Sequence, residues 1–290
     1  MIIGYTIDEL IDDIKLISST PSSQNLFSKE KFIRLANNQL FSKLLPFIMS
    51  FRSDYFLTQD EISISSIVDN KIKIPFNAVG LKLRDITVKE KRVIIPYIQY
   101  EEVKRINPVG YYILGNNICF NRLETISSQD TLVISYYRRP NYLVSSTECG
   151  KVKSVIPATN QLVLESFPIY NVGTEVCCVS ATAGFDLKIV STPLLAVNGY
   201  TIDIEDVSGI NVGDWIAPSN CSPIPQVPVE TFPLFEQMIV IKIMETMNDR
   251  QGLENAKADF DAMQKETEKV LYPRVDGSLK TVVLPINRGF

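Results

Sequence analysis

Carboxylates are the main chemistry this chain can offer. Asp12 and Asp13 stand side by side in an N-terminal amphipathic segment, and Asp203, Glu205 and Asp206 gather near a strand end. Paired carboxylates do general acid/base work or hold a divalent cation when the fold brings them together. The second group lacks the spacing of an EF-hand loop, and solvated surface is the preferred reading of both. The 290 residues include no histidine. That excludes Ser-His-Asp and Cys-His catalysis and every His-containing zinc site. The five cysteines, Cys119, Cys149, Cys177, Cys178 and Cys221, form no C-x-x-C pair and read as reduced thiols. Cys177 and Cys178 are neighbours, so on a strand they face opposite ways. One buried and one half-exposed thiol is preferred there over a vicinal redox pair or a soft-metal site. Neither a Walker A loop nor a G-x-G-x-x-G turn occurs, so no nucleotide site is expected. The expectation is a protein that is not an enzyme and carries no cofactor and no metal.

Binding chemistry is more visible. Tyr136-Tyr137-Arg138-Arg139, with Lys89, Lys91 and Arg92, has the composition of a basic-aromatic patch for nucleic acid. A strand end whose arginines pair with acids, here or on a neighbouring subunit, is the preferred reading, because Arg and Tyr are favoured at protein interfaces. The net charge of -4 argues against gripping nucleic acid through its phosphates. DNA can still slide past a mildly acidic wall.

The elements that must position these residues follow from periodicity. Thr6-Ile7-Asp8-Glu9 fits a capping box, and Ile7, Leu10, Ile11 and Ile14 predict a helix ending near Ser18. Ser19–Asn25 is a polar loop. Ser28 can cap a second helix carried by Phe32, Leu35, Ala36, Leu40, Leu44 and Phe47, which Pro46 should end or kink. From Glu61 the period changes to two. Strands are expected at 71–74, 79–87, 90–96 and 131–138, a short helical turn at 100–105, and a hairpin turning on Gly115-Asn116-Asn117. A polar linker at Ser145–Thr147 opens a run of short strands with the spacing of a small barrel or sandwich. Trp215 should plug the end of that core, and Ser222–Pro228 reads as a stiff linker leading out. Two helices joined at Asn248–Gly252 should form an antiparallel hairpin packed on the N-terminal helices.

The fold class expected is α+β. N-terminal bundle helices at 1–60 precede a β-domain at 61–144. An inserted β-barrel or sandwich at 145–228, a helical hairpin at 229–272 and an extended arm at 273–290 complete the chain. The arm holds the β-prone run Lys280-Thr281-Val282-Val283-Leu284-Pro285, too short for its own sheet but able to add a strand to another. Met1-Ile2-Ile3 lacks a basic n-region and no apolar run nears ~20 residues, so a soluble chain made in the cytoplasm is expected, with no membrane partner.

Arg34-Leu35-Ala36-Asn37-Asn38, the hairpin around Tyr112–Asn117, Tyr136–Pro140, the C-terminal helix pair and Pro273-Arg274-Val275-Asp276-Gly277 together resemble a known family. They are similar to phage head-to-tail connector (adaptor) proteins, ring formers docked beneath the portal, above all those of crAss-like and other short-tailed phages. The resemblance implies a structural virion protein of the neck or tail region. It implies a homo-oligomeric ring, typically dodecameric, joining portal to tail around a channel through which DNA passes without specific binding. It carries the portal or neighbour contact onto the arm at Lys280, Val282, Leu284, Ile286, Arg288 and Phe290. It carries subunit contact onto the helices 29–45 and 233–247 and, as candidates, onto Arg34, Tyr137, Arg138 and Arg139. The partners implied are copies of the chain, the portal protein and further tail or collar ring proteins. Two other readings compete: an adhesion or carbohydrate-binding module built on the β-insert, weakened by its lone Trp215, and a carboxylate-dependent hydrolase using Asp203 and Asp206.

Overall fold

The computed structural model describes residues 5–18, 28–105, 108–166, 170–181 and 187–272. The polar stretch Ser19–Asn25 and the whole arm, including Lys280, Val282, Leu284, Ile286, Arg288 and Phe290, lie outside the described residues. The fold is mixed α+β. Helices α1 (Ile7–Ile17), α2 (Lys29–Gln39) and α3 (Leu45–Arg52) lead into β1 (Leu57–Ser63), β2 (Lys71–Lys73), β3 (Ala78–Val88) and β4 (Val93–Ile94). Then come the short α4 (Tyr100–Arg105), β5 (Gly110–Leu114), β6 (Asn117–Asn121), β7 (Thr131–Arg138) and β8 (Tyr142–Leu143). The insert holds β9 (Gly150–Ile156), β10 (Gln161–Leu164), β11 (Glu175–Val179), β12 (Leu187–Pro193), β13 (Ala196–Asn198), β14 (Thr201–Asp203) and β15 (Trp215–Pro218). β16 (Cys221–Ser222), α5 (Phe232–Met247) and α6 (Arg250–Leu271) close the described chain.

Local chemistry sets the helix ends. Thr6 Oγ1 accepts from Glu9 N–H at 3.3 Å while Thr6 N–H donates to Glu9 Oε2 at 2.7 Å, a complete capping box. Ser28 precedes α2 without a side-chain cap bond. Pro46 neither ends nor breaks the helix. A π turn, Leu40–Leu44, joins α2 to α3, and Leu45 N–H donates to Leu40 O five residues back. Such a wide turn makes room for the ring and leaves Pro46 in the first turn of α3, where its missing N–H does little harm. Between α5 and α6, Asn248 takes φ +58° and Asp249 caps α6 by accepting from Gly252 N–H.

α5 is the axis of the bundle. Leu234, Phe235, Met238, Ile239, Val240, Ile241 and Ile243 are all buried, facing α1, α2 and α6 on several sides. Each such side chain contributes about 1.5–3 kcal/mol by leaving water. Most of 233–247 is thus taken up by the core of its own subunit, and only Pro233, Lys242, Glu245 and Thr246 are exposed.

The middle of the chain is two small sheets on one core. The first has the order β1-β7-β3-β4, the second β2-β6-β5. Ile86, Ile118, Leu132, Ile134 and Tyr136 are among the side chains buried between them. β1 starts at Leu57, earlier than the alternation at Glu61 indicates, because β7 pairs with it over its full length. Gly115, at φ +59°, opens the two-residue turn that joins β5 and β6.

The insert is a closed barrel with the order β12-β11-β15-β9-β10-β14-β13. β12 pairs with β11, β13 pairs with β14, and only Leu194 and Leu195 separate β12 from β13. Leu194 N–H donates to Thr174 O, toward β11, and Leu195 N–H to Asp203 O, on β14. One bent strand thus joins both edges. Val152, Leu162, Val176, Cys178, Ile202 and Ile216 fill the interior. Trp215 does not plug an end. It sits in a central strand, half-buried on the outer face beside Cys149, Cys177 and Val179. Ser222–Pro228 is not a solvated linker either: every residue in it is buried.

Candidate functional site: interface residues and the junction behind them

Alternation along β7 decides what the Tyr-Tyr-Arg-Arg run can do. Tyr136 is buried and its Oη donates to Asp60 Oδ2 at 3.0 Å. Burial, with Asp60 alongside, pushes its phenol far above the ordinary value. Tyr137 is half-buried against the helical core. Arg138 is 5% exposed, and its Nη2 donates to Asn141 Oδ1 at 3.0 Å. Burial lowers its guanidinium below the usual value, with Tyr136, Cys177 and Asp60 acting the other way. An arginine held this way braces its own subunit, which corrects its expected role as a contact with a neighbour. Arg139 is half-buried and donates its N–H to Asn77 O. Arg34 is exposed on α2.

Asn141 is the hub where three parts of the molecule meet. Its N–H donates to Gln226 Oε1 at 2.7 Å, and its Nδ2 reaches Cys221 O at 3.0 Å and Cys177 Sγ at 3.6 Å. Sheet, barrel and returning chain are thereby tied at one residue, through its backbone N–H and its side chain. Asn37 of α2 acts like a further strand toward β8: Leu143 N–H donates to its Oδ1 and its Nδ2 donates to Leu143 O, at 2.8 and 2.9 Å. Asp8 of α1 holds the entry to the barrel, accepting from Ser146 N–H at 3.0 Å and from the hydroxyls of Ser145 and Ser146, and pairing with Lys29 at 2.9 Å. Burial raises the Asp8 pKa, but the bonds from Ser146 and Lys29 outweigh it and hold the carboxyl below its usual range. Ile7 N–H donates to Pro223 O at 2.7 Å, binding the exit strand to the same helix. The sequence gives no sign of this network, since lone Asn, Asp and Gln residues look alike on a core and on a surface.

A groove of about 350 Å³ runs between α2 and β8, lined by Glu30, Arg34, Asn37, Tyr142 and Glu148 among others. The Tyr142 ring meets Phe41 edge to face at 4.8 Å.

The basic patch is largely neutralised from within. Lys89 pairs with Glu61 and Lys91 with Asp130, each at 2.6 Å. Among the acids, Asp206 accepts from Ser208 N–H and Oγ in a local turn, which holds its carboxyl below the usual range. Asp203 lies on β14 opposite Gln161 and Ala196. Asp13 faces Glu236 of α5, whose carboxyl is raised by burial first and by Asp13 second. Asp12 pairs with Lys15 at 3.5 Å.

Both thiols of the Cys177-Cys178 pair are fully buried, correcting the expected half-exposed one, because the outer barrel face at Cys177 is covered by the junction. Burial pushes the Cys177 thiol up to about 11 and raises Cys149 further, so both stay protonated. Among the described residues no three Cys, Asp or Glu side chains gather as a metal site. The Trp215 face that a sugar would need carries Lys151 Nζ at 5.9 Å. Among the described residues no helix is long and apolar enough to cross a membrane.

Comparison with protein-family models and with curated proteins finds no match to this chain.

Proposed function

We propose that the chain is a structural virion subunit that closes into a ring with copies of itself and joins a phage portal to the tail around the DNA channel. A dodecamer is the ring implied by the resemblance to connector adaptors, and neck or tail the place. The observation that carries the reading is that large apolar side chains are exposed on two unlike parts of the subunit. Leu16 at the end of α1 is 79% exposed, and Ile94 on β4 is 64% exposed with Val93 and Tyr97 beside it. A ring needs two different faces that meet heterologously, and exposed apolar clusters mark such faces. Arg34, Tyr137 and Arg139 remain candidates for subunit contact, while the arm remains the candidate for portal or neighbour. The test is electron microscopy of the purified chain, alone and mixed with the portal protein encoded in the same genome. Closed rings stacked coaxially on the portal are expected. Single particles that ignore the portal would discard the reading.

A further inference from the structure

β1 offers a regular open edge over seven residues. It pairs with β7 over all of Leu57–Ser63 and is the end strand of its sheet. Every second N–H and C=O of β1 therefore points away from the sheet, an arrangement that recruits a further strand. The other described edges are poorer acceptors. β4 has two residues, and β2 has three, two of them Lys71 and Lys73. β5 is bridged by Tyr97 at Tyr111. β3 is left open by β4 before Ile86, but its register with β7 shifts between Ala78 and Asp85, and Gly80 and Leu81 take positive φ. β12 is paired on one side only, with two register shifts against β11.

The tail begins at the end of α3, a short turn before β1. The Tyr272 ring meets Phe51 of α3 edge to face at 5.6 Å, and only the turn Ser53–Phe56 separates α3 from β1. Beyond Tyr272 the sequence runs through Pro273–Leu279 to the β-prone Lys280–Pro285, close to β1 in length. The connecting residues span up to about 23 Å when extended, enough to lay that run along β1. Charge favours the approach. Residues 273–290 hold Arg274, Lys280 and Arg288 against Asp276, whereas β1 holds Asp60 and Glu61 and no base. Since Asp60 already accepts from Tyr136 and Glu61 pairs with Lys89, this complementarity steers the tail without adding a new ion pair.

We propose that Lys280–Pro285 adds to β1 of its own subunit as an extra strand before assembly, with Pro285 closing the pairing because it has no N–H to donate. The arm is then parked on the sheet until a neighbour or the portal takes it. The pairing stands independently of the ring; only the release step rests on the reading above.

The experiment is amide hydrogen exchange on three proteins at concentrations where light scattering shows monomers: the full chain, a chain ending at Tyr272, and full-length Val283→Pro. Both variants are expected to exchange the Leu57–Ser63 amides about tenfold faster than the full chain, with barrel amides unchanged. The proline variant covers the case in which truncation disturbs α6. Equal exchange of β1 in all three proteins overturns the proposal. So does protection of β1 that grows with concentration, which would assign the strand to another copy. A protected β1 in a chain that never forms rings leaves this pairing in place and removes only the ring; rings with an unprotected β1 do the reverse.

Discussion

The barrel and the β1-β7-β3-β4 sheet are both antiparallel and adjacent in sequence, yet they treat their edges in opposite ways. The barrel bends one strand at Leu194-Leu195 so that its two halves pair with opposite ends of the sheet; the β1 sheet leaves β1 open over seven residues. A closed barrel is finished within its own residues and offers chiefly side chains to a partner. An open sheet offers backbone as well. Assembly is therefore expected to work through the sheet and the bundle, with the barrel as a rigid appendage.

The strongest test of this contrast is Leu162→Ala, deep in the barrel. It should destabilise by about 2–5 kcal/mol in urea denaturation, with faster exchange confined to β9–β15. Equal loosening of β1, β7 and β3 would show that the two regions are one cooperative unit. Asn141→Ala comes next, at about 1–3 kcal/mol, because it removes the side-chain bonds from Arg138 Nη2 and to Cys221 O. Here exchange should rise in barrel and sheet together, since Asn141 ties them. Gly150→Ala should cost about 1–3 kcal/mol in thermal melts and act on the barrel alone: the added Cβ lies 2.5 Å from Leu164 Cδ1 and 3.2 Å from Ser166 O.

Ile94→Asp probes the sheet from outside. Stability should stay within about 0.5 kcal/mol, because the side chain is exposed, while ring formation scored by electron microscopy is lost. Unchanged rings would remove β4 from the interface.

The smallest effects are in the bundle and separate by sign. The raised carboxyl of Glu236 favours the protonated folded form, so its contribution is present at low pH and lost as pH rises through the folded value. Glu236→Gln should raise the melting temperature at pH 7 by about 1–3 °C and show no gain at pH 4. Asp8 runs the other way. Its lowered carboxyl stabilises above the unfolded value and that contribution fades as pH falls through the folded one, so Asp8→Asn should destabilise at pH 7 and lose its effect in acid.

What the sequence revealed was local. The Thr6–Glu9 box, the Gly115 hairpin and the Asn248–Gly252 turn are each written within a few residues, and each appears as read. What it hid depends on distant partners. Nothing near Leu57 announces β7, and nothing in 187–198 announces that its halves pair with different edges. Ser222–Pro228 looks like a linker because prolines and polar residues mark exposed chain on average; here every residue in it is buried. Pro46 does not end the helix because the clash argument assumes a regular α turn, which the π turn replaces. Arg138 and Arg139 could not be told apart without knowing which way β7 faces the junction.

The bonds from α1 to the barrel's entry and exit set an order of events during synthesis. Ile7 waits for Pro223, and Asp8 for Ser146. More than two hundred residues separate the first pair, so at ordinary translation rates α1 leaves the ribosome about 10–40 s before its exit-strand partner exists. The barrel, by contrast, has its last strand once Pro218 is out. The two middle sheets, complete at Arg138, are able to fold before it and the insert second, while the apolar face of α1 stays uncovered until α5 arrives.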